Sequence, residues 1–235
     1  MANYKDIKGT TVQVQSGTQP TTYPQAAGEL YYNSSNGDYE FLGIGAGTWA
    51  TGGDLGTARK DGAGLGIQTA AILAGGGDPA KNNTETYNGT SWSEVNELNV
   101  AKYGHRGAGT TTAGIIFLGH NASDSALDQT EVFNGTSWSE THELNTARFR
   151  AGSSIKGTST AVIAFGGEVS GDQALTESYN GSSWTELANL STARTGISGA
   201  GTTASAFAAR GNPPTTNATE EWTIPSSLTS LTITD

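Results

Sequence analysis

The eleven residues Thr84–Glu94, TETYNGTSWSE, return as TEVFNGTSWSE at 130–140 and as TESYNGSSWTE at 176–186, so that tryptophans stand 46 residues apart at 92, 138 and 184. A period of this length marks a supersecondary unit that cannot bury its apolar face alone and must stack on copies of itself, as propeller blades and solenoid turns do. Two further signals keep the same order. Each tryptophan is followed by Leu-x-x-Ala-Arg/Lys: Trp49 by Leu55 and Arg59, Trp92 by Leu98 and Lys102, Trp138 by Leu144 and Arg148, Trp184 by Leu190 and Arg194. A segment of small residues and an apolar run such as Ile115–Leu118 then lead to a Thr-Glu pair, at Glu85, Glu131, Glu177 and Glu220.

Each unit reads as four short antiparallel strands. The small-residue segment and the apolar run predict one hairpin, 105–110 with 113–118 in the second unit. The Thr-Glu strand predicts a second hairpin with the tryptophan strand, turning through Asn-Gly in the type I′ geometry that matches strand twist. That turn sets Tyr87 against Trp92, Phe133 against Trp138 and Tyr179 against Trp184 as cross-strand pairs. Four such units give an all-β fold, a small four-bladed β-propeller. The first strand of each unit is nearly without bulk (Gly107-Ala108-Gly109, Ser198-Gly199-Ala200-Gly201), as expected where inner strands converge on an axis and not in a solenoid. The expected blade core is Trp49, Trp92, Trp138, Trp184, Tyr87, Phe133, Tyr179 and Trp222.

The order of the copies bears on closure. The series opens with the Trp49 strand and ends with Thr219–Thr223, TEEWT, which has no Asn-Gly-x-x-Trp after it. Pairing the Trp49 strand with Glu221–Thr223 would complete the last blade from the first repeat; the other solution uses Ser227–Thr234 as the outer strand, with the ring closed otherwise or completed between subunits. The first is the more economical. The chain then divides into a strand-rich attachment module at 1–47, holding a hairpin of 28–33 with 38–42, a propeller at 48–224 and a tail at 225–235.

Charge and composition narrow the function. A net charge of −10 with no Lys/Arg-rich run argues against a nucleic-acid surface. The longest apolar stretch is too short to cross a bilayer, and MANYKDIKGT lacks a signal-peptide core, so the expectation is a product made in a cytoplasm without membrane insertion. With zero cysteines there is no thiolate chemistry. His105, His120 and His142 fall at different places in their repeats, which points to exposed loop residues and not to a symmetric metal set. Asp124, Asp128 and Asp172 lie in polar loops whose spacing lacks a calcium-loop pattern. No catalytic constellation or cofactor motif is present, and the reading is non-enzymatic with no cofactor. Arg59, Lys102, Arg148 and Arg194 form one basic level. They either line a mouth of the axis and hold an anion, or each pairs with its glutamate, Glu85, Glu131, Glu177 or Glu220, in a ring that fixes blade to blade.

The diglycines Gly75-Gly76 and Gly166-Gly167 after apolar strands, the aromatic and tryptophan that follow, and Leu-x-x-Ala-Arg make 48–224 resemble kelch repeats, with departures at Gly119-His120 and Arg210-Gly211. The opening MANYKDIKGTTVQV, then AGELYYNSSNGDYEFLG, and the ending TEEWTIPSSLTSLTITD are similar to kelch-like structural proteins of tailed phages, marine and cyanobacterial ones above all. This resemblance implies a virion component: a tail fibre, tail-tip or surface decoration protein. Residues 1–47 would contact other virion proteins, the chain would be a homo-oligomer in a symmetric particle, and the propeller would face outward. A carbohydrate-binding propeller that reads a host surface glycan is the alternative.

Overall fold

A computed structural model describes residues 30–33, 38–41, 47–77, 79–212 and 217–225. The chain divides into two compact units, Met1–Thr51 and Gly52–Asp235. In the first, β1 (Leu30–Asn33) and β2 (Asp38–Phe41) form the antiparallel hairpin expected there, with Tyr32 opposite Tyr39. The remainder of the attachment module and the candidate strand Ser227–Thr234 lie outside the described residues.

The second unit is a four-bladed β-propeller of antiparallel sheets, with no helix among the described residues. Blade 1 comprises β3 (Ala63–Ile67), β4 (Ala70–Gly76), β5 (Lys81–Tyr87) and β6 (Trp92–Val95). Blade 2 comprises β7 (Arg106–Gly109), β8 (Gly114–Phe117), β9 (Thr130–Phe133) and β10 (Trp138–Thr141). Blade 3 comprises β11 (Gly152–Ser153), β12 (Val162–Phe165), β13 (Thr176–Tyr179) and β14 (Trp184–Glu186). Blade 4 has three strands, β15 (Ser198–Gly201), β16 (Ser205–Ala209) and β17 (Thr219–Thr223), in the order β15-β16-β17.

The outer hairpins have the predicted register, Tyr87 opposite Trp92, Phe133 opposite Trp138 and Tyr179 opposite Trp184. Their ring centroids lie 5.0, 4.9 and 5.3 Å apart. The turn itself differs from the expected type I′. Only the glycine is left-handed (Gly89, φ +94°), and Asn88 works through its side chain, whose Oδ1 accepts the N–H groups of Thr90 and Ser91 at 2.9 Å each. Asn134 and Asn180 repeat this. The asparagine therefore serves as an Asx acceptor closing a four-residue loop, a use of the same dipeptide that backbone preference alone does not reveal.

Along each second strand, alternate residues face opposite neighbours. Ile72 packs toward blade 2, and Ile115 toward blade 3 while Ile116 packs toward blade 1; Ile163 packs toward blade 4. Three apolar clusters result, one at each of the seams 1–2, 2–3 and 3–4. The indole N–H groups of Trp138 and Trp184 cross these seams to Thr84 and Thr130 Oγ1 of the preceding blade, at 3.1 and 2.9 Å. Inner-strand glycines are required by close approach: a Cβ on Gly199 would stand 2.4 Å from the Phe165 ring and 2.6 Å from the Ser153 carbonyl.

Four members of the expected core behave differently. Tyr87 and Trp92 pair with each other but are only half-buried and belong to none of the three clusters. Trp222 is half-buried, occupies the register position of Tyr87, Phe133 and Tyr179, and packs on the seam 3–4 cluster. Trp49 is no core residue. It lies in no strand, is fully exposed (103%) and belongs to the first unit. Among the described residues β17 has no hydrogen-bonded strand on its outer side. In Trp49-Ala50-Thr51-Gly52-Gly53 glycines, which weaken a strand, stand where the other copies have Val95-Asn96, Thr141-His142 and Leu187-Ala188, and the Gly53 N–H donates to the Thr90 carbonyl of blade 1 (3.2 Å).

Candidate functional site

The four basic residues and four glutamates meet in pairs. Arg59 Nη1 lies 2.5 Å from Glu85 Oε1, Lys102 Nζ 3.1 Å from Glu131 Oε1 and Arg194 Nη2 2.5 Å from Glu220 Oε1, while Arg148 Nη1 bonds Glu177 Oε1. The other carboxylate oxygen accepts the backbone N–H that follows the repeat leucine, from Gly56 (2.7 Å), Asn99 (2.7 Å), Asn145 (2.8 Å) and Ser191 (2.7 Å). Just before it, the N–H groups of Leu98, Leu144 and Leu190 donate to carbonyls of the blade being left, at Asn82, Asp128 and Ala174. These three connectors are thus tied to one blade at the leucine and to the next at the glutamate.

Burial makes these pairs demanding. Lys102, Glu131 and Arg148 are fully buried. An ion pair removed from water persists only when most of its lone pairs and protons have partners; the backbone donors satisfy the carboxylates, while Arg59 Nε, Arg148 Nη2 and Arg194 Nε are buried without a hydrogen bond. Burial alone would raise the Glu85 pKa, yet the Arg59 hydrogen bond and charge and the Gly56 N–H hold it below its ordinary value. Glu220 is lowered in the same way by Ser191 and Arg194. Lys102 is lowered, chiefly by burial and against the pull of Glu131. Every positive charge of the ring is matched by a carboxylate, so of the two arrangements weighed from the sequence this geometry is the paired one.

Two histidines expected on exposed loops are buried, while His142 is exposed. His105 Nε2 lies 3.2 Å from the Ala63 nitrogen and 3.0 Å from the Ala74 carbonyl oxygen, which ties blade 2 to the inner strands of blade 1. Burial and then the nearby Lys102 push its pKa down to about 3. The His120 ring stacks between Tyr103 (4.0 Å) and Phe149 (4.2 Å), and its Nδ1 lies 3.6 Å from Asp124, which also accepts the Tyr103 hydroxyl. Asp124 is thereby engaged inside its own loop, and Asn121 Oδ1 closes that loop on Ser123 and Ser125. Among the described residues no three His, Asp or Glu side chains converge on a metal position.

The sequence reading missed Arg106 and Arg210. Arg106 donates to the His105 carbonyl, and its pKa is lowered by burial first and then by the Arg210 charge. Arg210 Nε bonds Ser198 Oγ. Arg150 and Arg210 hold left-handed backbone (φ +52° and +56°) where other repeats have glycine, Gly104 and Gly196 for the first, Gly75 and Gly166 for the second. The signal available in the sequence was a break in the repeat: each residue stands where a neighbouring copy has something smaller. Comparison with protein-family models and with curated proteins finds no match to the chain.

Proposed function

We propose that the chain is a non-enzymatic structural protein of a phage virion that displays this propeller on the particle, attached through residues 1–47. Within the propeller, one observation carries the display reading. The repeated charged and aromatic side chains are consumed in holding blade to blade, through the Arg/Lys–Glu pairs and the buried Trp138 and Trp184. Connecting loops such as 120–128 and 167–175 differ between blades. A rigid repeat scaffold with variable loops is how a surface module presents contacts. The kelch-like repeat and the phage-like ends of the sequence supply the virion context. Mass spectrometry of purified particles from the encoding phage should detect the chain at a copy number that fits a symmetric position; its absence from particles would overturn the proposal.

A glycan-reading role would place the sugar on those loops. Trp138 and Trp184 are 5% and 6% exposed and point into seams, so they offer no face for stacking.

A further inference from the structure

Two arginines outside the ring of ion pairs come together at the axis of the propeller. Arg106 opens β7, the inner strand of blade 2, where it pairs with Phe117 at the end of β8. The same place in blade 4 belongs to Ser198, which opens β15 and pairs with Ala209; its Oγ accepts the Nε–H of Arg210 at 2.7 Å. In blades 1 and 3 that place holds Ala63 and Gly152, paired with Ala74 and Phe165. One level of the axis therefore carries a guanidinium from each of two blades that face one another across it, and only small residues from the two blades between.

The two groups are near enough to repel. Arg106 donates from Nη1 to the His105 carbonyl (3.0 Å), and its pKa is lowered by burial first and then by the Arg210 charge. Blades 2 and 4 share no seam, so this repulsion acts across the axis. Asp61 of blade 1 pulls the other way, yet among the described residues neither arginine has a carboxylate within ion-pair distance. In a chain of net charge −10, carboxylates to pair them are plentiful; two like charges left together disfavour their own charged forms unless a counter-charge joins them. Each guanidinium is a planar fork of N–H donors, of which a single one is spent on the protein. The backbone at Arg210 adds a separate sign. It is left-handed (φ +56°), as is Leu118 at the same place in blade 2 (φ +52°). Leu118 is fully buried in seam 2–3, which offsets the strain, whereas Arg210 is exposed and has no such compensation.

We propose that this level of the axis is an oxyanion site, in which a phosphate or sulfate group sits between Arg106 and Arg210 and accepts N–H donors from both forks. Guanidinium forks match the spaced oxygens of such a group and bind it through paired, charge-assisted hydrogen bonds. The anion cancels the repulsion between the two arginines. It is either a free ion or the substituent of an acidic glycan, and the chemistry of recognition is the same for both.

NMR titration of the full-length protein with sodium phosphate and with sodium sulfate, at low ionic strength, should show saturable binding at a single site that added salt weakens. Arg106→Gln and Arg210→Gln should each raise the dissociation constant by roughly 10-fold or more, the loss of a charged hydrogen-bonding partner. Arg210 is exposed, so its variant should keep the wild-type circular dichroism and reports on binding alone. Lys156→Gln removes the same charge from an exposed position between β11 and β12 and should leave binding unchanged. A sulfated disaccharide that binds more tightly than inorganic sulfate, through both arginines, upholds the site and identifies an acidic glycan; equal affinity upholds it and identifies a free anion. Absence of saturable binding, an affinity untouched by Arg210→Gln, or an equal loss in Lys156→Gln would refute the proposal.

Discussion

Seams 2–3 and 4–1 are built from equivalent positions and differ in every measure of closure. At seam 2–3, Ile115 is fully buried, and Trp184 and Tyr179 seal the cluster. Its counterpart facing blade 1 from blade 4 is Phe207, which is 42% exposed. From the blade 1 side, a Cβ at Gly107 would stand 2.7 Å from Leu65 across seam 1–2, whereas Gly64 at the same register has nothing within 4 Å. No apolar cluster spans blades 4 and 1 among the described residues. Repetition of a sequence therefore does not ensure repetition of an interface. An interior blade gains stabilisation from neighbours on both sides, and an end blade from one.

The ion pairs give the largest expected contrast. Glu177 and Arg148 are at most 1% exposed, and Glu177→Ala leaves a guanidinium buried without its carboxylate, which costs about 3–5 kcal/mol. Glu220 in blade 4 is 27% exposed, water can replace it, and Glu220→Ala should cost less than half as much. Urea unfolding of both variants checks this; equal losses would mean that the end blade is as well sealed as the interior one.

Packing gives the next contrast. Ile115→Ala at seam 2–3 removes a fully buried side chain and should cost about 2–5 kcal/mol. Phe207→Ala, at the equivalent position, should cost under about 1 kcal/mol, because the ring is already partly in water. Should Phe207→Ala cost as much as Ile115→Ala, seam 4–1 would be closed in solution.

How much of this was written in the sequence follows from what repeats and what does not. The paired aromatics, the four-strand blade and the Arg/Lys–Glu pairs were legible because each rests on spacing within a unit, and three or four copies state it again. Closure was not, because it depends on the one copy that has no duplicate, where glycines stand at 52 and 53. The burial of His105 was hidden for a related reason. Its counterparts, three residues after Arg59, Arg148 and Arg194, are Gly62, Ala151 and Ile197, so no periodic signal marks the position, and its surroundings come from a neighbouring blade.

That singular histidine should make seam 1–2 acid-sensitive. Buried and neutral, His105 has a folded pKa of about 3 against an ordinary 6.5. A depressed pKa contributes stability that is complete above the unfolded value and is lost as pH falls toward the folded one, because only the unfolded chain binds the proton in between. The window therefore runs from pH 6.5 down to about 3. At roughly 1.4 kcal/mol per pH unit, the loss between pH 7 and pH 5 is about 2 kcal/mol. The carboxylates of Glu85 and Glu220, also depressed, add their own loss only below the ordinary carboxylate range. Melting temperature measured from pH 7 to pH 5 should fall less steeply for His105→Gln than for the wild type, because the neutral amide keeps a polar group in the seam and takes up no proton; the remaining slope belongs to His120, whose pKa burial also lowers. A wild-type curve as flat as that of the variant would place His105 in contact with water and would make seam 1–2 resemble seam 4–1.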